Sequence, residues 1–228
     1  MDPRKLTSYR DRIEADLRGN VLPFWMERVA DQERGTFHAA IGNDGRLDDA
    51  GPRGCLLASR ILWTYAAASR VYGDEDYEAM AEFAYWDLET RYWDKEFGGY
   101  VWSVNPDDSW AKDRKQVYGQ AFAIYALTEF YWATGHEPAL ARAREVFDLL
   151  ERHTIDPEHG GYLEAFGRDW SPIVDMRLSE VDQNDPKSQN TLLHVMEAYT
   201  NLLRVAPQAE VKSALHDLVH VMLERVVN

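Results

Sequence analysis

The sequence predicts an all-α fold of the α/α-toroid type, in which helical hairpins form two concentric rings. Two observations support this prediction. A short segment repeats about every 62 residues, and the helices between the repeats alternate between apolar and amphipathic character. A helix that is apolar on nearly all sides is buried, whereas a helix with a polar face lies outside.

The repeated segment is an aspartate, three mixed residues and a Gly-Gly-aromatic ending or a near version of it. It reads DQERGTFH at 31–38, DKEFGGYV at 94–101 and DPEHGGYL at 156–163. The equivalent positions Thr36, Gly99 and Gly161 are 63 and 62 residues apart. A constant period of this length is typical of stacked supersecondary units. We expect a short β-hairpin around each segment, but no large sheet.

Seven helices are predicted around these turns, because apolar residues recur at helical spacing. They span about 5–29, 54–72, 75–93, 114–134, 137–153, 187–205 and 208–227. Gly73, Gly135 and Pro207 mark the bends between consecutive helices. The second, fourth and sixth helices are rich in apolar and small residues on nearly all sides, so we predict that they form the inner ring. The third, fifth and seventh look amphipathic and form the outer ring.

The length predicts an incomplete ring. Six hairpins of this period need about 370 residues, and the chain has 228. We therefore expect one α/α-toroid domain, residues 1–228, that lacks the C-terminal hairpins of a full ring. The terminal hairpins of such a domain expose apolar flanks. This predicts either self-association through the open edges or an origin as part of a longer protein.

Composition excludes several classes of partner. Lys+Arg 25 against Asp+Glu 39 gives a net charge of −14, which argues against nucleic acid or an anionic membrane as partner. No segment approaches the roughly 20 apolar residues of a membrane span, and the N-terminus lacks the apolar core of a signal peptide. These features predict a cytoplasmic protein. We expect no cofactor and no metal, because phosphate-binding glycine loops, HExxH and multi-cysteine motifs are absent.

Polar residues stand near the starts of the predicted inner helices. Arg60 lies within the apolar run LLASRILW, so it either pairs with a carboxylate or projects into a polar cavity. Tyr118 and Phe122 precede the strongly apolar part of the fourth helix. These residue types are also those of sugar-binding clefts, where aromatic faces stack on the sugar and polar groups bind its hydroxyls.

The sixth helix carries Asn190, His194 and Glu197 at positions i, i+4 and i+7, which lie on one helix face. A histidine on a largely apolar helix is commonly a core residue. Here it shares a face with an amide at the start of a predicted inner helix, and this favours a role in a polar cavity. With Arg60 and the aromatic residues, the set suits a neutral, hydroxyl-rich ligand.

Four stretches also show a family resemblance: SRILWTYAAA, KEFGGYVWSV, DRKQVYGQAFAIYALTEFYWATG and RLSEVDQNDPKSQNTLLHVMEAYTNLLR. On these, the chain resembles the N-acylglucosamine 2-epimerase superfamily, and most closely its cellobiose 2-epimerase branch. The resemblance covers nearly the whole chain. It implies an (α/α)6 barrel that opens a reducing-end glucose and inverts C2 through a cis-enediol.

The resemblance implies roles for the matching residues. Arg60 is expected to bind the oxygens at C1 and C2 and to stabilise the enediolate. Tyr118 contacts the same part of the sugar, Asn190 holds a hydroxyl, and His194 assists ring opening or polarises the carbonyl. Independently of the resemblance, we count Phe122 and Glu197 among the substrate-binding residues, and we expect Glu197 to support the site from below by pairing with a neighbouring base such as Arg60.

The family's two acid/base histidines belong to inner helices of the second half and have no match here. His216 and His220 are predicted on an outer helix. The isolated chain is therefore expected to be weakly active or inactive, because epimerisation needs bases on opposite faces of C2. Two alternatives stay open: a mannose-type aldose–ketose isomerase, and a non-catalytic sugar-binding or assembly module. A glycoside hydrolase is disfavoured, since no obvious pair of carboxylates is present.

Overall fold

The structure, a computed structural model, describes residues 3–226, with side chains from residue 6 onward. It divides into two compact units, Met1–Gly51 and Pro52–Asn228. None of the described helices is long and apolar enough to cross a membrane.

The first unit consists of one long helical segment and two small hairpins. Helix α1 spans Pro3–Asp16 and continues through Leu17–Val21, Leu22–Phe24 and Trp25–Val29, partly with π-helical hydrogen bonding. Strands β1 (Ala30–Asp31) and β2 (Thr36–Phe37) pair antiparallel, as do β3 (Ala40–Ile41) and β4 (Leu47–Asp48). The predicted helix over 5–29 and the hairpin at the first repeated segment are both confirmed.

The second unit contains three helical hairpins. Their helices are α2 (Cys55–Tyr72), α3 (Glu75–Arg91), α4 (Val117–Thr134), α5 (Glu137–His153), α6 (Gln189–Val205) and α7 (Ala209–Val221, continuing as Met222–Val226). Helix α4 packs between α2 and α6, and each of α3, α5 and α7 packs against the helix that precedes it. The predicted alternation of inner and outer helices, and with it the α/α fold class, is confirmed. The predicted end of the last helix at 227 lies outside the described residues.

Short strands connect the hairpins. They are β5 (Arg53–Gly54), β6 (Ser103–Val104), β7 (Trp110–Lys112), β8 (Lys115–Gln116) and β9 (Ala165–Phe166). Strands β5, β6 and β7 form one antiparallel sheet, and β8 pairs with β9. No sheet within residues 3–226 has more than three strands, so the prediction of no large sheet is confirmed. At the second and third repeated segments, the expected hairpins are reduced to the single antiparallel bridges Trp93–Tyr100 and Ile155–Tyr162. The fourth helix begins at 117 rather than 114, because Lys115 and Gln116 belong to β8.

The inner helices differ in burial, and this corrects one expectation. Helix α4 is buried on most sides, since it has an inner neighbour on each flank. Helix α6 is not apolar all round, because Asn190, Leu193 and Glu197 are exposed along one face. Its opposite face, with Leu192, Val195 and others, is buried. Helices α2 and α4 end at Gly73 and Gly135, whose left-handed backbone closes the last turn.

Candidate active site on three inner helices

Each of the three inner helices carries one candidate residue at the same position along its length. Arg60, Phe122 and His194 are the sixth residues of α2, α4 and α6. The guanidinium carbon of Arg60 lies 4.7 Å from the centre of the Phe122 ring. The Phe122 and His194 ring centres are 4.6 Å apart. The structure therefore brings three predicted site residues into one continuous row across the inner helices.

Tyr118 lies against this row from the first turn of α4. Its hydroxyl accepts a hydrogen bond from Arg60 Nη2 at 3.2 Å, and its ring meets the His194 ring edge-on at 4.8 Å between centres. The Tyr118 side chain is buried, whereas Arg60 is exposed. A guanidinium has five donor hydrogens, and the contact with Tyr118 uses one of them. The arrangement leaves donors on Arg60 for the oxygens of a ligand.

His194 is oriented by Glu197. Its Nδ1 lies 2.7 Å from Glu197 Oε2, and an ionised carboxylate can only accept, so Nδ1 carries the hydrogen. In the neutral ring, Nε2 is then the basic nitrogen. The sequence predicted Arg60 as the partner of Glu197, and this pairing is wrong. Residues i and i+3 are neighbours on a helix surface, and the contact within α6 forms instead.

A second row of residues lies one turn further along the same three helices, and the sequence analysis did not predict it. Trp63, Tyr125 and Glu197 are the ninth residues of their helices, and the Trp63 and Tyr125 rings stack at 5.3 Å. Burial raises the pKa of Tyr125, and the negative charges of Glu197 and Glu129 raise it further. Tyr125 is therefore a neutral hydroxyl at neutral pH. Both rows align when residues are counted from the observed helix starts, whereas the predicted starts at 54, 114 and 187 do not align them.

Asn190 lies one turn towards the start of α6 from His194 and is exposed. It borders a cavity of about 200 Å³ that Glu164, Arg177 and Asp182 also line. Among the described residues, no hydrogen bond joins Asn190 to the row. The histidines His216 and His220 lie on the outer helix α7 with most of their side chains exposed, as the sequence predicted.

Gly119 allows the first turn of α4 to approach its neighbours closely. A Cβ at this position would lie 3.1 Å from Cys55 Sγ and 3.3 Å from the Trp102 ring. The next residue, Gln120, is buried and exchanges two hydrogen bonds with the backbone of Tyr100, at 2.8 Å and 2.7 Å. These contacts fix the turn that presents Tyr118.

The unit Met1–Gly51 contains a separate cluster of metal-ligand type. Asp31, His38 and Asp49 place one potential ligand atom each within 4.8 Å of one another. The Arg34 guanidinium lies 3.9 Å from Asp31 and 4.0 Å from Asp49, so a cation of the chain already faces both carboxylates. This ion-paired arrangement explains the cluster by charge balance within the chain.

The fold and the row define an α/α-barrel protein with a polar and aromatic site at the starts of its inner helices. The family model of N-acylglucosamine 2-epimerase matches residues 35–227. A cellobiose 2-epimerase of Bacteroides fragilis is 42% identical over 96% of this chain and 56% of its own. The chain therefore belongs to the N-acylglucosamine 2-epimerase family.

Solved structures agree with this assignment. The cellobiose 2-epimerase of Spirochaeta thermophila superimposes with a TM-score of 0.90 at 36% identity, over 97% of this chain and 55% of the other. That of Bacillus thermoamylovorans gives a TM-score of 0.92 at 33% identity, over 97% and 57%. The chain thus spans about half the length of the relatives it matches.

Proposed function

We propose that the chain provides the first half of a sugar 2-epimerase site that acts on the reducing-end glucose of a cellobiose-type disaccharide. The observation that carries the proposal is the row of Arg60, Phe122 and His194, closed by Tyr118. It combines a cation with unused donors, an oriented imidazole and two aromatic rings. Relatives named cellobiose 2-epimerase support the choice of reaction and substrate.

Each residue of the row suits one task. Arg60 donates to the oxygens at C1 and C2 of the open-chain sugar, where negative charge develops when the C2 proton leaves. His194 can take or return a proton at the ring oxygen or O1 during ring opening, because Glu197 fixes its tautomer. Phe122 and Tyr118 offer apolar surface to the sugar's C–H groups, and Asn190 binds a hydroxyl.

Inversion at C2 needs proton removal from one face and proton return to the other. Among the described residues, the row contains one imidazole. We therefore propose that this chain by itself binds the sugar and turns it over slowly or not at all.

We further propose self-association, since Leu6, Tyr9 and Ile13 are exposed along α1; the mass in solution tests this.

The test incubates the purified chain with cellobiose in D₂O and uses NMR to follow the exchange of the C2 hydrogen for deuterium, while chromatography separates the mannose epimer from a ketose. We expect cellobiose to bind and the C2 hydrogen to exchange slowly. Arg60→Lys should lower the rate of C2 hydrogen exchange by about a hundredfold, and His194→Gln should lower this rate by a similar factor. His216→Gln, on the exposed outer helix, is the matched control. A folded chain that neither binds cellobiose nor exchanges C2 would refute the proposal.

A further inference from the structure

The start of α6 is held by a buried carboxylate from outside the helix. Glu164 lies between α5 and α6 with 4% of its surface exposed, and it lines the cavity that Asn190 borders. Burial raises its pKa, and hydrogen bonds from Thr191 and Ser188 oppose that rise. A carboxyl group in such a place is costly unless its hydrogen bonds are satisfied.

The two carboxylate oxygens of Glu164 bind the first turn of α6. Oε1 accepts the Ser188 N–H at 2.6 Å, and Oε2 accepts the Thr191 hydroxyl at 2.6 Å. Ser188 is the N-cap, and its own hydroxyl accepts the Thr191 N–H at 3.1 Å. In a capping box, the carboxylate comes from the third residue of the same helix. Here that position is Thr191, and the carboxylate comes from a distant segment.

The backbone of Glu164 binds two further segments. Its carbonyl accepts the N–H of Val117, the first residue of α4, at 2.9 Å, and its own N–H donates to the Pro186 carbonyl at 2.9 Å. One residue therefore joins the start of α4 to the start of α6. Tyr118 directly follows Val117, and His194 lies one turn beyond Thr191.

We infer that Glu164 is a positioning residue: it holds the starts of α4 and α6 together and thereby sets the contact between the Tyr118 and His194 rings. The inference deepens the proposed function and rests on it for its consequence in sugar binding. The geometric part stands separately, because the 4.8 Å ring contact is present without any ligand.

The experiment replaces Glu164 by glutamine, which keeps the side chain's size but removes its charge and one of its two acceptor oxygens, so that the side chain no longer offers a separate oxygen to the Ser188 N–H and to the Thr191 hydroxyl. The readout is the Cε1–H resonance of His194, assigned with His194→Gln and displaced by the ring currents of Tyr118 and Phe122. We expect Glu164→Gln to move this resonance towards that of a histidine without aromatic neighbours. We also expect it to weaken cellobiose binding about three- to tenfold.

Glu151→Gln is the matched control. Glu151 on α5 also accepts two hydrogen bonds, from Tyr162 and Tyr199 at 2.7 Å each, and it ties α5 to α6 away from the helix starts. The Glu151→Gln substitution should lower the stability of the chain without moving the His194 resonance. Thr191→Val, which removes one donor to Glu164, should move the resonance in the same direction by less and serves if Glu164→Gln does not fold.

Three outcomes are distinguishable. Movement of the resonance in Glu164→Gln or Thr191→Val, but not in Glu151→Gln, supports the inference. An unchanged resonance in every folded Glu164→Gln and Thr191→Val variant, or an equal movement in the control, overturns it. If the resonance moves as expected and the unmodified chain shows no cellobiose binding, the positioning role stands and the proposed function fails.

Discussion

The two Gly-Gly turns of the second unit have the same local structure and different surroundings. In the first, Asp94 Oδ1 accepts the N–H groups of Glu96 and Phe97. In the second, Asp156 Oδ1 accepts those of the two residues at the equivalent positions. Each turn also binds a lysine that lies two residues before the next inner helix: Lys115 for the first and Lys187 for the second.

The turns differ in burial and in the number of cations. Lys115 and Asp94 are both fully buried, at 3.0 Å, and Arg168 adds a second cation through two contacts with Asp94. Lys187 and Asp156 keep 22% and 14% of their side chains exposed. One sequence pattern thus specifies the turn, but neighbouring segments decide how much free energy its ion pair contributes. Four predictions test this difference.

The largest effect is expected for Lys115→Met. Removing one partner of a buried ion pair costs about 3–5 kcal/mol; we expect the lower end of this range, because Asp94 keeps the partly exposed Arg168 as its second cation. The substitution also removes the hydrogen bond from Lys115 Nζ to the Gly99 carbonyl. Urea unfolding measures the loss of stability. A loss below that of the equivalent change at Lys187 would contradict the comparison.

Gly99→Ala should be the next most damaging change. Gly99 has φ +74°, and a Cβ there would lie 2.6 Å from the Trp170 ring. Left-handed strain and overpacking together predict a loss of about 2–4 kcal/mol. Gly161→Ala has a similar φ, but its nearest contact is Leu192 at 3.2 Å, so we expect about 1–2 kcal/mol. Thermal unfolding measures both losses, and equal decreases in Tm for the two variants would show that the surroundings of each turn do not affect the cost of the substitution.

Acid should destabilise the first turn through Asp94. Burial alone would raise the pKa of Asp94, but hydrogen bonds from Arg168, the Glu96 N–H and Lys115 lower it to about 2. A lowered pKa in the folded state stabilises the fold above the carboxyl's ordinary pKa. About 2 kcal/mol is therefore lost as the pH falls from about 4 to about 2. The free energy of unfolding of Asp94→Asn should fall less over this range, and an identical slope would contradict the assignment.

The smallest effect is expected for Lys187→Met. The pair is partly exposed, and such pairs contribute about 1 kcal/mol or less. The hydrogen bond from Lys187 Nζ to the Gly160 carbonyl at 2.9 Å places the loss near the upper end of this range. Urea unfolding beside Lys115→Met gives the ratio of the two turns. A loss of 3 kcal/mol or more would mean that solvent does not weaken this pair.

The elements that were predicted correctly are those with local signals. Gly73 and Gly135 end helices because a left-handed residue closes the last turn, and the apolar spacing located all three hairpins. The boundary at 114 was wrong because Lys115 and Gln116 pair with a strand about 50 residues later. Strand pairing over such a distance leaves no mark in the local pattern.

For the candidate site, the sequence placed Arg60, Tyr118 and His194 near the starts of inner helices but did not say which would touch. The partner of Glu197 was wrong, and the role of Glu164 was not foreseen. Helix spacing already offered His194, three residues before Glu197, as its partner, whereas the contacts of Glu164 depend on how helices pack and how loops cross between them. Helix period and turn chemistry act within a few residues, so the sequence alone determined the helices, the repeated turns and the residues near the inner helix starts. Only the tertiary structure decided the row of rings, the burial of Asp94 and the carboxylate that caps α6, because these arise from contacts between segments far apart in the chain.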